Sequence, residues 1–138
     1  MKTPALHVIA CTAVVAGTLV IGSAAFGQAS SNAAAFVKKW DRSGKGKLDM
    51  KAILNAAIVK FEFLDKDHTG RLTQQELAGE ITPRQFRSAN PDGDNTIGAE
   101  EWFNLVRRQF HAANPDHDGS LTLKELETPM GEQLLKLL

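Results

Sequence analysis

Oxygen-bearing side chains recur at a fixed spacing in three segments of the chain. These segments are DKDHTGRLTQQE (residues 65–76), NPDGDNTIGAEE (residues 90–101) and NPDHDGSLTLKE (residues 114–125), which we call loops 2, 3 and 4. Their starts lie 25 and 24 residues apart, a period that indicates repeated structural units. Each begins with Asp or Asn, has Asp at its third position and ends in Glu. Carboxylate and amide oxygens are ligands of hard cations, so this pattern favours metal binding.

The spacing follows the EF-hand pattern. Side-chain oxygens at positions 1, 3 and 5 converge on one cation, position 7 offers its backbone carbonyl, position 9 often acts through water, and Glu at position 12 supplies two oxygens. Position 6 needs a positive φ, which Gly70, Gly119 and Asn95 tolerate. No loop meets the strict signature, because loop 2 has Thr69 at position 5 and loops 3 and 4 begin with Asn. The candidate metal ligands are Asp65, Asp67, Thr69, Arg71, Thr73 and Glu76 in loop 2, Asn90, Asp92, Asp94, Thr96 and Glu101 in loop 3, and Asn114, Asp116, Asp118, Ser120, Thr122 and Glu125 in loop 4.

A fourth, degenerate copy, DRSGKGKLDMKA (residues 41–52), starts 24 residues before loop 2, and we call it loop 1. Its position 12 is Ala52, and four cations surround the would-be site: Arg42, Lys45, Lys47 and Lys51. Like charges oppose the binding of a cation. We therefore expect loop 1 to be structural, and the alternative is a basic patch that docks an acidic partner.

Apolar residues repeat in phase with the loops. A phenylalanine lies four residues before each intact loop, an apolar residue follows every loop, and an apolar residue occupies every eighth position: Phe61, Phe86 and Phe110; Ile53, Leu77, Trp102 and Leu126; Leu48, Leu72, Ile97 and Leu121. We expect the eighth residues to pair between loops as short β-bridges and the flanking residues to pack the helices.

The segments between the loops predict helices. MKAILNAAIVKFEFL (residues 50–64) places Ile53, Leu54, Ala57, Ile58, Phe61 and Leu64 at helical spacing. WFNLVRRQFHAA (residues 102–113) predicts one continuous helix. Two short helices are expected to share residues 77–89, the second with Thr82 as N-cap and Pro83 at its first position. ETPMGEQLLKLL (residues 127–138) is expected to cap the core. The predicted fold class is all-α: a compact bundle of EF-hand helix–loop–helix repeats with short inter-loop spacing and loops at its two ends.

The amino terminus predicts export. Lys2 is the only charge before Lys38, and the stretch between them is apolar and then rich in small residues. This pattern is typical of a secretory signal peptide, residues 1–29, followed by a metal-binding domain over residues 30–138. The alternative is a retained membrane anchor, since the apolar stretch is nearly long enough to span a bilayer.

Composition excludes several function classes. Lys plus Arg and Asp plus Glu both number 16, so the formal net charge is zero, which argues against a polybasic nucleic-acid binder. The single cysteine excludes a disulfide framework and a Cys-rich zinc site within one chain. His68 and His117 occupy position 4 of their loops, which points to solvent, so we do not expect a catalytic or zinc-binding role. The chain is not expected to be an enzyme.

The loops resemble those of lanmodulin, a family of periplasmic lanthanide-binding EF-hand proteins of methylotrophic bacteria. The similar features are spacings of 12–13 residues between loops, Pro91 and Pro115 at position 2, and above all QFHAANPDHDGSLTLKEL (residues 109–126). The chain departs from the family at two positions. At position 2, loops 1 and 2 carry Arg42 and Lys66 instead of Pro, and at position 9 the intact loops carry Thr73, Gly98 and Thr122 instead of Asp.

The resemblance implies a periplasmic chaperone or buffer of trivalent lanthanide ions that serves lanthanide-dependent alcohol oxidation. It also implies a three-helix bundle with non-standard pairing of the EF-hands. The implied partners are the metal ions, a periplasmic lanthanide-dependent dehydrogenase or uptake component, and a second copy of the chain in a metal-dependent homodimer.

Two alternatives to lanthanide binding stay open at this point. The chain could be an exported calcium-binding EF-hand protein, or a calcium-ordered interaction module resembling dockerin. Each intact loop carries three EF-hand carboxylates, which neutralise a trivalent ion and leave a divalent ion at −1. Coulomb attraction scales with charge, so we expect calcium to be the weaker ligand. Glu at position 12 in all three loops argues against the dockerin-like alternative.

Overall fold

The computed structural model describes the backbone of residues 24–138 and the side chains of residues 32–138. Most of the predicted signal peptide, residues 1–23, lies outside this range, so export stays a prediction. Within the described range no helix is long and apolar enough to cross a membrane.

Helices and short strands alternate along the described chain. The elements are α1 (Ala24–Trp40), β1 (Lys47–Asp49), α2 (Met50–Leu64), β2 (Arg71–Thr73), α3 (Pro83–Ala89), β3 (Thr96–Gly98), α4 (Ala99–Ala113), β4 (Ser120–Thr122), α5 (Leu123–Leu126) and α6 (Pro129–Leu135). The helix predicted over residues 50–64 is confirmed as α2, and the continuous helix predicted between loops 3 and 4 is confirmed as α4.

The strands form two small antiparallel sheets, so the all-α fold class was wrong. Strand β1 pairs with β4, with Leu48 opposite Leu121, and β2 pairs with β3, with Leu72 opposite Ile97. The predicted pairing of eighth positions is confirmed, but it extends over positions 7 to 9 and makes three-residue strands. Strands this short carry too little alternation of polar and apolar residues to be detected from sequence. The fold is mixed, with helices joined to two two-stranded sheets.

The loops pair in an order that separates them into two groups. Loop 1 pairs with loop 4 and loop 2 with loop 3, which agrees with the expectation of a non-standard pairing. Helix α2 leads from loop 1 to loop 2, and α4 leads from loop 3 to loop 4. Each of these helices has 15 residues and is therefore roughly 22 Å long. The two loop pairs consequently lie at opposite ends of the packed α2–α4 pair.

The core contains the apolar residues that repeat with the loops. All four eighth-position residues are fully buried, and the residues before and after the loops are at most 8% exposed. The Trp102 indole N–H donates to the carbonyl of Ala57 on α2 at 3.2 Å, which fixes α4 against α2. Leu134 and Leu137 are fully buried, so the prediction that the C-terminal segment caps the core is confirmed. Ile58 shares the helical spacing of the buried residues of α2, but it is 41% exposed.

The linker between loops 2 and 3 holds one helix rather than the predicted two. Residues 74–77 form a turn, in which the Leu77 N–H donates to the Thr73 carbonyl at 3.1 Å. Gly79 then adopts a φ of +88°, which a continuing helix does not allow. The second helix begins as predicted: Thr82 accepts from the Gln85 N–H at 3.2 Å, the Gln85 side chain accepts from the Thr82 N–H at 2.8 Å, and Pro83 follows the cap.

Helix α6 depends on a glycine where it meets α5. Gly131 is buried, and a Cβ atom built there would lie 2.2 Å from the carbonyl oxygen of Glu125 and 2.4 Å from the Cα of Leu126. Both atoms belong to the backbone and cannot rotate away. The close approach therefore requires glycine.

We expect Gly131→Ala to lower the free energy of unfolding by about 1–3 kcal/mol, because α6 must move off α5 to admit the methyl group. The measurement is urea unfolding of the metal-free chain followed by circular dichroism. Gly98→Ala is the control, since a Cβ there meets nothing closer than 3.7 Å, and its cost should stay below about 1 kcal/mol. Equal losses in the two variants would contradict the role of Gly131.

Candidate metal-binding loops

Loop 2 brings three carboxylates together. One oxygen from each of Asp65, Asp67 and Glu76 lies within 4.8 Å of the other two. Oxygens that bind one calcium-sized ion at 2.3–2.6 Å are at most about 5 Å apart, so these residues fit a single hard cation. Asp65 is 7% exposed and is the C-cap of α2, where its N–H donates to the Phe61 carbonyl at 2.9 Å. The helix therefore positions the first ligand of the loop.

The turn of each loop has the predicted backbone. Position 6 has a positive φ in Gly70 (+75°), Asn95 (+65°) and Gly119 (+81°), as expected. Position 4 is also left-handed, in Gly93 and in both histidines of the intact loops, with φ of +55° at His68 and +54° at His117. Sequence reasoning missed this second left-handed position. Both histidines are exposed, which agrees with the expectation that they face solvent.

The glutamate at position 12 is held by the residue at position 9. The Glu76 carboxylate accepts from the Thr73 N–H at 2.9 Å and the Thr73 hydroxyl at 2.8 Å, and it also accepts from the Lys66 N–H at 3.1 Å. The Thr73 N–H is the main cause of a lowered Glu76 pKa. Glu125 accepts from Thr122 in the same way. The threonine at position 9 therefore orients the position-12 carboxylate in loops 2 and 4.

Loop 3 lacks that hydroxyl, because position 9 is Gly98. Within the described part of the chain, the Glu101 carboxylate accepts one hydrogen bond, from the Gly98 N–H at 2.8 Å. Position 9 is one of the positions where the sequence departs from the lanmodulin family. In the described residues it has a structural role. It fixes the carboxylate that follows three residues later.

Loops 3 and 4 do not show the convergence seen in loop 2. Among the described residues, the cluster of loop 2 is the one group of three carboxylates, thiols or imidazoles with this spacing. The aspartates at position 5 turn towards the paired loop. The Lys47 ammonium lies 2.8 Å from Asp118, and the Arg71 guanidinium pairs with Asp94 and donates to the Thr96 hydroxyl at 2.9 Å.

These cross-loop pairs shift the ionisation of the aspartates. The hydrogen bond from Lys47 is the largest cause that lowers the pKa of Asp118 to about 2. The pKa of Asp94 is lowered first by the Thr96 N–H and hydroxyl, and then by Arg71. Sequence reasoning assigned Arg71 to the site for its backbone carbonyl and missed its side-chain contact. The opposite charges at positions 7 and 5 lie in different loops. Their contact can be recognised only when it is known which loops pair.

A buried oxygen in loop 4 has no hydrogen-bond partner among the described residues. Asn114, at position 1, is 1% exposed, and no donor within residues 32–138 reaches its Oδ1. The equivalent Asn90 in loop 3 accepts from the Gly93 N–H at 2.7 Å. A buried polar atom without a partner costs about 1–3 kcal/mol. A cation in loop 4 would supply the missing interaction, so this atom fits the metal-ligand assignment.

Loop 1 is closed by its own hydrogen bonds. The Asp41 carboxylate accepts from the N–H groups of Ser43, Gly44 and Gly46 and from the Ser43 hydroxyl, at 2.6–2.9 Å. The Ser43 hydroxyl is the main cause of a lowered Asp41 pKa. Asp49 instead caps α2 by accepting from the Ala52 N–H at 2.7 Å. The oxygens of loop 1 therefore serve the fold.

Models of known protein families give no match to this chain, and no curated protein matches it. The resemblance of the loops to the lanmodulin family consequently depends on the residues of this chain alone.

Lys47→Met should raise the pKa of Asp118 from about 2 towards 3.8, although Ser120 continues to donate to the carboxylate. Because the folded pKa lies below the unfolded value, the interaction stabilises the fold above pH 3.8, and this stabilisation is lost as the pH falls through about 2. The variant should therefore lose less stability over this window. The measurement is a ¹³C NMR titration of the Asp118 carboxyl group in the metal-free chain.

Lys124→Met is the matched control for this titration. Lys124 lies in loop 4, is exposed and has no ion pair among the described residues. Its replacement should leave the Asp118 pKa near 2. An Asp118 pKa that also stays near this value in Lys47→Met would contradict the cross-loop contact.

Proposed function

We propose that this protein binds trivalent lanthanide ions in loops 2, 3 and 4, and that it acts as a periplasmic lanthanide chaperone or buffer. The observation that carries the proposal is the convergence of Asp65, Asp67 and Glu76 within 4.8 Å. Three ionised carboxylates at this spacing repel one another, and a cation between them removes the repulsion.

The ligand chemistry supports a hard ion. The side chains at the coordinating positions of loop 2 offer oxygen from carboxylates and hydroxyls, and these positions contain neither cysteine nor histidine. Oxygen donors suit calcium and lanthanide ions and do not suit soft metals. The unpartnered Oδ1 of Asn114 extends the same chemistry to loop 4.

The charge of the three carboxylates favours a trivalent ion over a divalent ion. Three carboxylates neutralise a trivalent ion and leave a divalent ion with one excess negative charge. Asp65 is buried, which reduces the solvation of any excess charge and strengthens the attraction to the ion of higher charge. Calcium binding is the competing proposal, either in an exported calcium-binding protein or in a calcium-ordered interaction module.

The chaperone role has a different kind of support, which is the resemblance of loops 3 and 4 to the lanmodulin family. On that basis we propose a lanthanide-dependent alcohol dehydrogenase, or an uptake component, as the partner in the periplasm. A homodimer formed on metal binding belongs to the same proposal. The test of metal binding does not depend on these partners.

Lanthanum should saturate the loops of the metal-free chain at a free concentration at least tenfold below that needed for calcium, because the trivalent ion is attracted more strongly. The measurement is helical circular dichroism of the full chain during titration with each ion in chelator-buffered solution. If micromolar calcium saturates the loops as lanthanum does, the lanthanide proposal fails and the calcium alternative replaces it.

Asp67→Asn should weaken lanthanum binding in loop 2 at least tenfold, because it removes one of three carboxylates. Asparagine keeps an oxygen that can accept the Thr69 N–H, as Asp67 does at 3.2 Å, so the turn is retained. Binding is followed through the ¹⁵N NMR resonance of Gly70. Glu62→Gln is the control, because Glu62 is an exposed carboxylate three residues before the loop. Equal effects of the two substitutions would contradict the assignment of Asp67.

A further inference from the structure

We propose that Lys47 and Arg71 are internal cations that compete with the metal for loops 4 and 3 and thereby set the affinity of these two loops. This inference depends on the proposed metal binding and adds to it two residues that do not bind the ion through their side chains. Each of these basic residues lies in one loop and affects the metal affinity of the loop that is paired with it.

The two contacts have the same geometry because the two sheets have the same register. Lys47 lies opposite Thr122, and Arg71 lies opposite Gly98, so position 7 faces position 9 in both pairs. From that place each cation reaches position 5 of the paired loop. The Lys47 Nζ lies 2.8 Å from Asp118 Oδ2, and the Arg71 Nη1 contacts Asp94 Oδ2.

The arrangement is not reciprocal. At position 7, loops 3 and 4 carry Thr96 and Ser120, which are short and uncharged. Among the described residues, no ion pair involves the carboxylates of loop 2. Loop 2 is also the loop whose three carboxylates converge. The carboxylates of loop 2 therefore converge without an ion pair among the described residues. In loops 3 and 4, by contrast, the position-5 aspartate is already paired with a basic side chain of the same protein.

To bind in loop 4 or loop 3, a metal ion must displace the basic side chain from the position-5 aspartate. The side chain of Lys47 is 44% exposed and that of Arg71 is 52% exposed, so both can swing into solvent. The displaced cation stays within reach of the site and repels the ion. An exposed ion pair and this repulsion together should weaken binding about three- to tenfold.

The experiment measures each loop separately in the full chain. The probe is lanthanum in a chelator buffer, and the readout is the ¹⁵N resonance of position 6 in each loop: Gly70 for loop 2, Asn95 for loop 3 and Gly119 for loop 4. The variants are Arg71→Gln and Lys47→Gln. The matched controls are Arg87→Gln and Lys124→Gln, which remove one exposed charge near loops 3 and 4 without a contact to their aspartates.

Arg71→Gln should tighten binding at Asn95 about three- to tenfold, and Lys47→Gln should do the same at Gly119 while leaving Gly70 within twofold. Arg71→Lys keeps the charge and should bind like the unchanged chain, which a purely structural role of the guanidinium group would not predict. Gains no larger than those of the controls would overturn the inference and leave the proposed function standing. If lanthanum shifts none of the three resonances in the unchanged chain, the proposed function itself fails.

Discussion

Four buried side chains at the eighth loop positions hold the loops in pairs. Leu48 packs opposite Leu121, and Leu72 packs opposite Ile97, all with no exposed surface. Burial of such a side chain stabilises a fold by about 1.5–3 kcal/mol. Because the strands have only three residues each, this pairing fixes the register of positions 7 and 9 as well. The contacts of Lys47 with Asp118 and of Arg71 with Asp94 follow from that register.

The pairing gives a neutral chain a strongly uneven charge distribution. Ten acidic residues lie in loops 2, 3 and 4, whereas four basic residues lie in loop 1. The sheet between loops 1 and 4 brings Lys47 of the basic loop to Asp118 of an acidic one. Arg71 reaches Asp94 across the other sheet. A net charge of zero therefore argues against a polybasic binder, but it is compatible with discrete sites for small cations.

The sequence predicts the parts of the fold that depend on local signals or on the repeat. Helices α2 and α4, the Thr82 cap and the burial of the apolar repeat were all predictable, because periodicity and capping are local. The all-α class was wrong because a three-residue strand has one buried residue and depends on a partner far along the chain. Ile58 has helical spacing but lies outside, since spacing does not reveal which face another helix covers.

The identity of the ligands in the candidate site was predictable from the sequence. The ion pairs that some of these ligands form were not. Positions 1, 3 and 12 of loop 2 follow from the EF-hand pattern, and the structure brings those three carboxylates together. The contact between Arg71 and Asp94 depends on which loops pair, which the pattern does not specify. The most direct test is an anomalous difference map from crystals of the full chain grown with a lanthanide. The account predicts one peak in each of loops 2, 3 and 4 and none in loop 1. A peak in loop 1, or none at Asp65, Asp67 and Glu76, would contradict it.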